Sequence, residues 1–352
     1  IWAAAGHPAA SLGTLGLVPP MVSAPGSLTT PDPVSLHRCL DELAENGVDH
    51  LAVELSSHGL AQERVDGLRL SAAAFTNLSQ DHLDYHGDME TYFRAKARLF
   101  AELLPAGATA VVNADTPQSG ALAEICRQRG HTLWTYGGHE AATLRLDSRT
   151  ADPSGQDLAL TAFGHAHSVR LPLVGQFQAM NALAALGLAM AGGTNLAAAL
   201  DALPHLEGAP GRLQRVANTA SGAAVFVDYA HSPDALATVL DALRPHARGR
   251  LVVVFGAGGD RDRGKRPEMG RIASERADRV IVTDDNPRNE EPAAIRRAVL
   301  EGTTGAEEIG DRAAAIRAAV SDLAAGDVVL IAGKGHETGQ IVGETTLPFD
   351  DT

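Results

Sequence analysis

Cysteine is nearly missing from this 352-residue chain. Cys39 and Cys126 are the only two, and they form no CxxC. That argues against a disulfide scaffold and against a thiolate zinc site. Basic runs are missing as well. With 43 acidic against 29 basic residues and a formal charge of −14, neither nucleic acid nor an anionic membrane surface fits as the main partner. An anionic small molecule held by a few Arg, Lys and backbone N–H groups stays open. The most apolar stretch, Ala182 to Gly193, falls short of the roughly 20 residues a bilayer span requires, so no membrane insertion is expected. There is no HExxH helix for a metallohydrolase, and the one HxH, His165 and His167, sits in a segment of strand character. No GxxxxGK[ST] phosphate loop occurs anywhere. The chain opens IWAAAGHPAASLGTLG, without an initiator Met or a basic leader. Its Ala-rich run reads as the tail of a helix and as a start inside a domain. The expectation is a soluble, cytoplasmic, monomeric globular protein.

What is present is alternation of apolar runs and helical spacing, the α/β signature. In the first half Leu51–Leu55, Ala73–Leu78 and Thr109–Asn113 read as strands, and 33–46 and 89–104 as helices. Residues 144–174 alternate and carry DPSG and FGH turns, which predicts an antiparallel segment, followed by a helix over 177–191. Gly, Pro and Gly in LEGAPGRLQ, 206–214, mark a boundary, placed so that residues 1–207 and 208–352 form two domains. Beyond it, strands at 223–229, 251–255, 280–283 and 328–332 are separated by helices at 233–243, 266–276, 293–301 and 312–325. This is a doubly wound parallel sheet, whose ligands gather at the carboxyl ends of the strands. DYAHSP, GAGGDRDRGKRP, DDNPR and GKGHE each follow one of those strands.

Several clusters carry chemistry, each with a plainer account beside it. Gly259-x4-Gly264-Lys265 is close to a phosphate loop, but Arg266 stands where a hydroxyl should hold Mg2+. A Gly-rich turn presenting Arg261 and Lys265 to an anionic group fits better. Glu54 follows a strand, with Ser56, Ser57 and His58 on the next turn; a lone carboxylate there is ordinarily a helix cap. Asn77, Asp81, His82, Asp84 and His86 follow the next strand, and half of them would ordinarily be solvated. Lys96 lies on an amphipathic helix, where snorkelling is the ordinary account, yet Glu54 and His82 together could begin a Mg2+ site. In DDNPRNEEP, Asn289 can cap the next helix and Glu290 and Glu291 suit its positive end. Asp285, Asn286 and Arg288 are left over. An ammonium wants the carboxylate and a carboxylate wants the guanidinium fork, so a zwitterionic amino acid would satisfy both.

VELSSHGLAQERVDGL, FTNLSQDHLDYHGDMETYFRAKARLF, NALAAL, GRLQRV, VDYAHSPDAL, GGDRDRGKRPEMG, TDDNPRNEEP and IAGKGHE occur in the order and spacing of the Mur ligases. Together they cover essentially the whole chain, and they most resemble the branch of the family that adds diaminopimelate. The resemblance implies an ATP-dependent amide ligase of peptidoglycan synthesis. It joins meso-2,6-diaminopimelate to UDP-N-acetylmuramoyl-L-alanyl-D-glutamate through an acyl phosphate, with ATP and Mg2+. It also implies a truncated P-loop-type ATPase central domain, with a parallel sheet and a small antiparallel sheet, before a Rossmann-like domain. Carried over by residue, Thr29, Thr30, Ser56, Gln62 and Arg64 resemble contacts to the UDP-muramoyl dipeptide. Glu54 and His82 resemble Mg2+ ligands. Lys96 resembles the lysine that the family carbamylates with CO2, a change that turns a cation into a bidentate anion. Asn77, Asn181, Arg212 and Asp228 resemble nucleotide-side residues. Arg261, Asp285, Asn286, Pro287, Arg288, Gly333 and Glu337 resemble the diaminopimelate pocket, with Arg288 as the group that tells diaminopimelate from lysine.

The chain departs from the family pattern in three places. The strand and GTNGKT-type loop that open the family's ATPase domain, and the uridine-binding domain before it, are expected upstream of Ile1. Leu28 precedes the Thr pair where the family often has a polar residue, and a final helix is expected after FDDT. The 352 residues alone are therefore expected to be nearly inactive. The alternatives are a ligase adding L-lysine, a folylpolyglutamate synthetase, and a non-catalytic amino-acid-binding remnant. DNPR and the SSHGLxQxR run argue against the synthetase, and Glu54, His82 and Lys96 against a pure binder.

Overall fold

A computed structural model of the chain describes residues 1–22, 28–79 and 82–352; Asp81, named above, lies outside them. The chain divides into two units. One comprises Ile1–Arg149, Leu158–Arg170 and Met180–His205, the other Thr150–Asp157, Leu171–Ala179 and Leu206–Thr352.

The first unit begins with β1 (Ala9–Gly13), β2 (Gly16–Val18) and β3 (His50–Val53), ordered β2-β1-β3, with β1 and β3 parallel. The helix Pro33–Glu45 crosses between β2 and β3. Asp32 Oδ1 caps it by accepting the Val34 and Ser35 amides, each at 3.0 Å, a cap typically worth ~1 kcal/mol. Leu36, Cys39 and Leu43 form its buried face. A second sheet follows the order β4 (Ala72–Phe75), β5 (Thr109–Asn113), β6 (Thr132–Gly137), β7 (Leu144–Asp152), β8 (Gly155–Ala162) and β9 (His165–Leu171). Strands β4 to β7 run parallel. The two-residue turns joining β7 to β8 and β8 to β9 require antiparallel pairing. Among the described residues β3 pairs only with β1 and β4 only with β5. A cavity of about 500 Å³ lies between them, lined by Leu51, Val53, Leu70 and Ala73 among others.

Residues 2–6 form a single turn, closed by Ala5 N donating to the Ile1 carbonyl at 2.9 Å, the i to i+4 bond of a helix end. One local reading is corrected here. The helix starting at Met89 is regular only to Arg98, then widens into a π turn over Leu99–Leu103 that buries Leu99 and Phe100. The helix Ser119–Arg129 and β6 add a crossover that the apolar pattern does not mark.

The second unit is built on β10 (Gln214–Asn218), β11 (Ala224–Asp228), β12 (Leu251–Phe255), β13 (Arg279–Val282), β14 (Glu307–Glu308) and β15 (Val328–Ala332). Their order is β10-β11-β15-β12-β13-β14, parallel except for the antiparallel edge strand β10. Every residue of β11, β12 and β15 is buried. Continuous apolar runs such as LVVVF are what a strand covered on both faces needs. One face holds Phe226, Val253, Phe255 and Leu330 against the helices Pro233–Leu243 and Lys265–Arg276. The other holds Val252, Val254, Ile281 and Ile331 against the helix Arg312–Val320. Each such side chain contributes about 1.5–3 kcal/mol by leaving water. A hairpin, β16 (Gly339–Val342) and β17 (Thr345–Pro348), stands outside this sheet. Its strands fall where the sequence reading places no element.

Candidate active site

In the first unit β3 ends at Val53 and hands Glu54 to a group of hydroxyls. Glu54 Oε2 accepts from the Thr14 amide at 2.9 Å and the Thr14 hydroxyl at 3.0 Å. Thr14 Oγ1 lies 3.0 Å from Thr29 Oγ1. The buried Thr30 hydroxyl donates to the Glu54 carbonyl at 3.0 Å and accepts from the Ser56 amide at 2.9 Å. Ser56, not Glu54, caps the following helix Ser57–Ala61, accepting the Gly59 amide at 3.0 Å. A Cβ on Gly13 would stand 2.5 Å from Glu54 Oε2, and one on Gly59 2.7 Å from Thr30, so both approaches depend on glycine. Arg64 donates to the Thr30 carbonyl at 2.8 Å and to Gln62 Oε1 at 3.0 Å. Thr29, Thr30, Glu54, Ser56, Gln62 and Arg64 thus form one hydrogen-bonded group, held together partly by Thr14, which the sequence reading did not name.

Gln62 Nε2 donates to the Tyr85 hydroxyl at 3.1 Å and so joins this group to a cluster of rings. His58 has its ring centroid 4.2 Å from Tyr85 and 4.9 Å from His82. His86 stacks on Tyr92 at 4.9 Å and shares a 2.9 Å hydrogen bond with Ser57 Oγ. Burial, then electrostatic interaction with His58, His82 and Lys96, holds the His86 imidazole below its ordinary value. His82 takes a left-handed backbone, φ +54°, and its ring is 6.1 Å from Tyr92; the Lys96 ammonium is 5.1 Å from the same ring. His82 and Lys96 therefore meet at Tyr92. Asn77 is exposed just beyond β4, and Asn181 is exposed on the helix Gln176–Ala191. Among the described residues, His7, Asp49 and His50 also come together as potential metal ligands. Both ring nitrogens of His50 are engaged there, by Asp49 at 2.6 Å and the Gly192 carbonyl at 3.1 Å, which gives the trio a structural role.

In the second unit all four polar turns sit at the carboxyl ends of parallel strands: Asp228 closes β11, and the turns holding Arg261, Asp285 and Gly333 follow β12, β13 and β15. Burial pushes the Asp228 carboxyl up. The Leu213 and Ala230 amides, each donating at 2.7 Å, oppose that. Arg212 lies 5.1 Å over the Tyr229 ring. Arg261 is exposed on its loop. Lys265 donates to the His231 carbonyl at 2.7 Å, and burial lowers its ammonium below the ordinary value.

The DNPR turn is nearly enclosed. Asp285, Asn286 and Pro287 are buried. Asp285 Oδ1 accepts the Asn286 amide at 2.7 Å, whereas its buried Oδ2 has no partner. Gly333, at φ +118°, faces that oxygen; a Cβ there would lie 2.5 Å from it. Arg288, also left-handed at φ +51°, directs Nη1 at the Gly259 carbonyl (2.9 Å) and the Asn286 carbonyl (3.4 Å). A Cβ on Gly259 would fall 1.8 Å from the Pro287 carbonyl, so the Gly-rich loop and DNPR touch backbone to backbone. Glu337 Oε2 accepts from Asn286 Nδ2 at 2.8 Å.

The Asn289-Glu290 reading does not hold. Glu291 occupies the cap position of helix Pro292–Leu300 without a side-chain cap bond. Asn289 instead donates to Asp260 Oδ2 at 2.8 Å. Glu290 accepts the Asp260 amide at 2.7 Å and the buried Arg266 guanidinium at 2.8 and 3.1 Å. These residues tie two loops together, a partnership far apart in sequence. Lys334, within IAGKGHE, was also missed; a lysine one glycine beyond an all-apolar strand was its signal.

Residues 1–189 match the Mur ligase middle domain, and residues 211–335 match the Mur ligase glutamate ligase domain.

The chain belongs to the Mur ligase family.

Among its relatives is the UDP-N-acetylmuramoyl-L-alanyl-D-glutamate--2,6-diaminopimelate ligase of Bradyrhizobium diazoefficiens, 56% identical over 100% of this chain and 73% of that protein. The ligase of the same name from Caulobacter vibrioides is 56% identical over 98% of this chain and 72% of that protein. A solved structure of such a diaminopimelate ligase superposes with a TM-score of 0.76 at 37% identity, covering 99% of this chain and 72% of its own. A folylpolyglutamate synthase from Mycobacterium tuberculosis superposes with a TM-score of 0.66 at 23% identity, covering 87% of this chain and 71% of its own, a likeness of fold alone. This Mur ligase chain is thus of the ATP-dependent amide ligase class, with the α/β sheets of that family. Among the described residues no helix is long and apolar enough to cross a membrane.

Proposed function

We propose that the chain serves in joining meso-2,6-diaminopimelate to UDP-N-acetylmuramoyl-L-alanyl-D-glutamate at the expense of ATP, in the cytoplasm and as a monomer. The observation that carries this is Asp285 Oδ2: a buried carboxylate oxygen without a donor, one residue from Asn286 and three from the Arg288 guanidinium. Such an oxygen is an unmet acceptor. An amino acid with two ammonium and two carboxylate groups supplies a donor for it and an anion for the guanidinium fork.

In the reaction a D-glutamate carboxylate oxygen attacks the γ-phosphorus of ATP and ADP leaves. The amine of diaminopimelate then attacks the acyl carbon of the resulting acyl phosphate, loses a proton, and phosphate departs. Thr29, Thr30, Ser56, Gln62 and Arg64 hold the muramoyl dipeptide. Asn77, Asn181, Arg212 and Asp228 serve the nucleotide. Arg261, Asp285, Asn286, Pro287, Arg288, Gly333 and Glu337 hold and orient the incoming amino acid. Glu54 brings a hard oxygen, and the glycine at position 13 leaves room for it. With His82, and with Lys96 as its carbamate, it would offer oxygen and nitrogen donors to Mg2+. When bound, that ion supplies charge neutralisation on the phosphoryl oxygens. A carbamate on Lys96 is detectable as a CO2-dependent mass increment or a carbamate carbon signal.

Calorimetric titration of the chain with meso-diaminopimelate and with L-lysine tests the reading. Binding of the former well above the latter supports it, and equal or absent binding refutes it. Because the 352 residues contain no GxxxxGK[ST] loop, diaminopimelate-dependent ADP release by this chain alone is expected to be close to zero. Robust turnover would show that the phosphates are cradled elsewhere.

A further inference from the structure

The Lys334 side chain is fully enclosed, at 0% exposure. An ammonium has three donors, and here each has an acceptor: Asn286 Oδ1 at 3.3 Å, Glu337 Oε2 at 3.2 Å and the Gly339 carbonyl at 2.5 Å. These acceptors belong to three separate segments, the DNPR turn, the GKGHE turn and the first strand of the outlying hairpin. Asn286 Oδ1 also accepts the Ile341 amide at 2.9 Å. With two donors converging on its oxygen, the Asn286 amide has one orientation, which commits Nδ2 to Glu337 Oε2. Glu337 thus takes both of its donors on one oxygen. The hairpin is drawn onto the same turn by Arg288 N donating to the Ile341 carbonyl at 3.0 Å, Gly343 N to the Arg288 carbonyl at 2.7 Å and Gln340 Nε2 to the Asp285 carbonyl at 2.6 Å.

We propose that Lys334 is a positioning residue of the amino-acid pocket: by fixing the Asn286 amide, the Glu337 carboxylate and the Gly339 carbonyl, its ammonium sets the carboxylates of Asp285 and Glu337 to receive the ammonium group of a zwitterionic amino acid. This rests on the proposed diaminopimelate reading of the same pocket. Lys334 has no open donor left for a ligand, so its effect passes through Asn286 and Glu337. It should therefore alter affinity for the amino acid rather than touch it.

The test is Lys334→Met in the 352-residue chain, which keeps the apolar stem and removes the ammonium. Meso-diaminopimelate affinity is read by calorimetry and folding by thermal melting. The expected result is at least tenfold weaker binding by a protein that still melts cooperatively. In addition, Glu337→Gln should cost about tenfold in the wild-type background and less than twofold beside Lys334→Met, because the two act on one carboxylate. Should Lys334→Met fail to fold, Asn286→Asp examines the same linkage: it keeps an acceptor for the ammonium but sets a second carboxylate against Glu337, and it too should bind at least tenfold more weakly. Unchanged affinity in folded Lys334→Met, or in Asn286→Asp where that variant is used, overturns the positioning role alone. A wild-type chain that does not bind meso-diaminopimelate overturns the function proposed above and this role with it.

Discussion

Gly333 leaves open the space beside Asp285: a Cβ built on the glycine would stand 2.5 Å from Asp285 Oδ2. The backbone there, at φ +118°, lies where an L side chain is itself strained. Gly333→Ala should lower stability by about 1–3 kcal/mol in urea denaturation. It should also weaken meso-diaminopimelate binding in calorimetry by displacing the carboxylate. Full affinity with unchanged stability would mean that this oxygen is not part of the pocket.

Arg288 is aimed by backbone carbonyls rather than by an acidic partner, since Nη1 goes to Gly259 O and Asn286 O. Arg288→Ala is expected to cost about 2–5 kcal/mol of meso-diaminopimelate binding and much less of L-lysine binding. Parallel titrations with the two amino acids decide the matter. An equal loss for both would show that the guanidinium does not read the second carboxylate.

Glu290 joins the two ligand-bearing loops. The Arg266 guanidinium, then the Asp260 amide, hold its carboxyl down at about 2, against an ordinary 4.5. A carboxyl depressed in the folded state stabilises fully above its unfolded value. That contribution fades as pH falls from about 4.5 toward about 2. Denaturation midpoints measured across this window should fall with pH in the parent chain and fall less steeply in Glu290→Gln. Identical pH profiles for the two would remove Glu290 from the linkage.

Arg312 and Asp351 make a bidentate pair, 2.7 Å on both arms, with neither side chain exposed. Asp351→Ala strands a buried guanidinium and should destabilise by about 3–5 kcal/mol in chemical denaturation. An apolar replacement of both partners should recover most of that loss. A single substitution with no effect would mean that the guanidinium finds another acceptor or water.

Much of the second unit is legible without coordinates. Its core strands are unbroken apolar runs of about five residues, and each is followed at once by a polar turn, so strand, turn and edge coincide in the chain. The same holds for Asp285 and Arg288, which stand three residues apart and are left without a local role. Lys334, Glu290 and Thr14 were harder to see. Each has a partner 30 to 48 residues away, as in Asp260 N to Glu290, Thr14 to Glu54 and Lys334 to Asn286. Local spacing cannot report such meetings.

By itself the sequence determined the α/β alternation, the positions of the polar turns and the family, because each depends on residue type and near-neighbour spacing. Only the tertiary structure decided that Glu290 pins a loop instead of charging a helix end, and that a buried lysine organises the DNPR turn. Those outcomes depend on which distant backbone and side-chain groups share a volume from which water is excluded, where every donor needs an acceptor and every charge a partner.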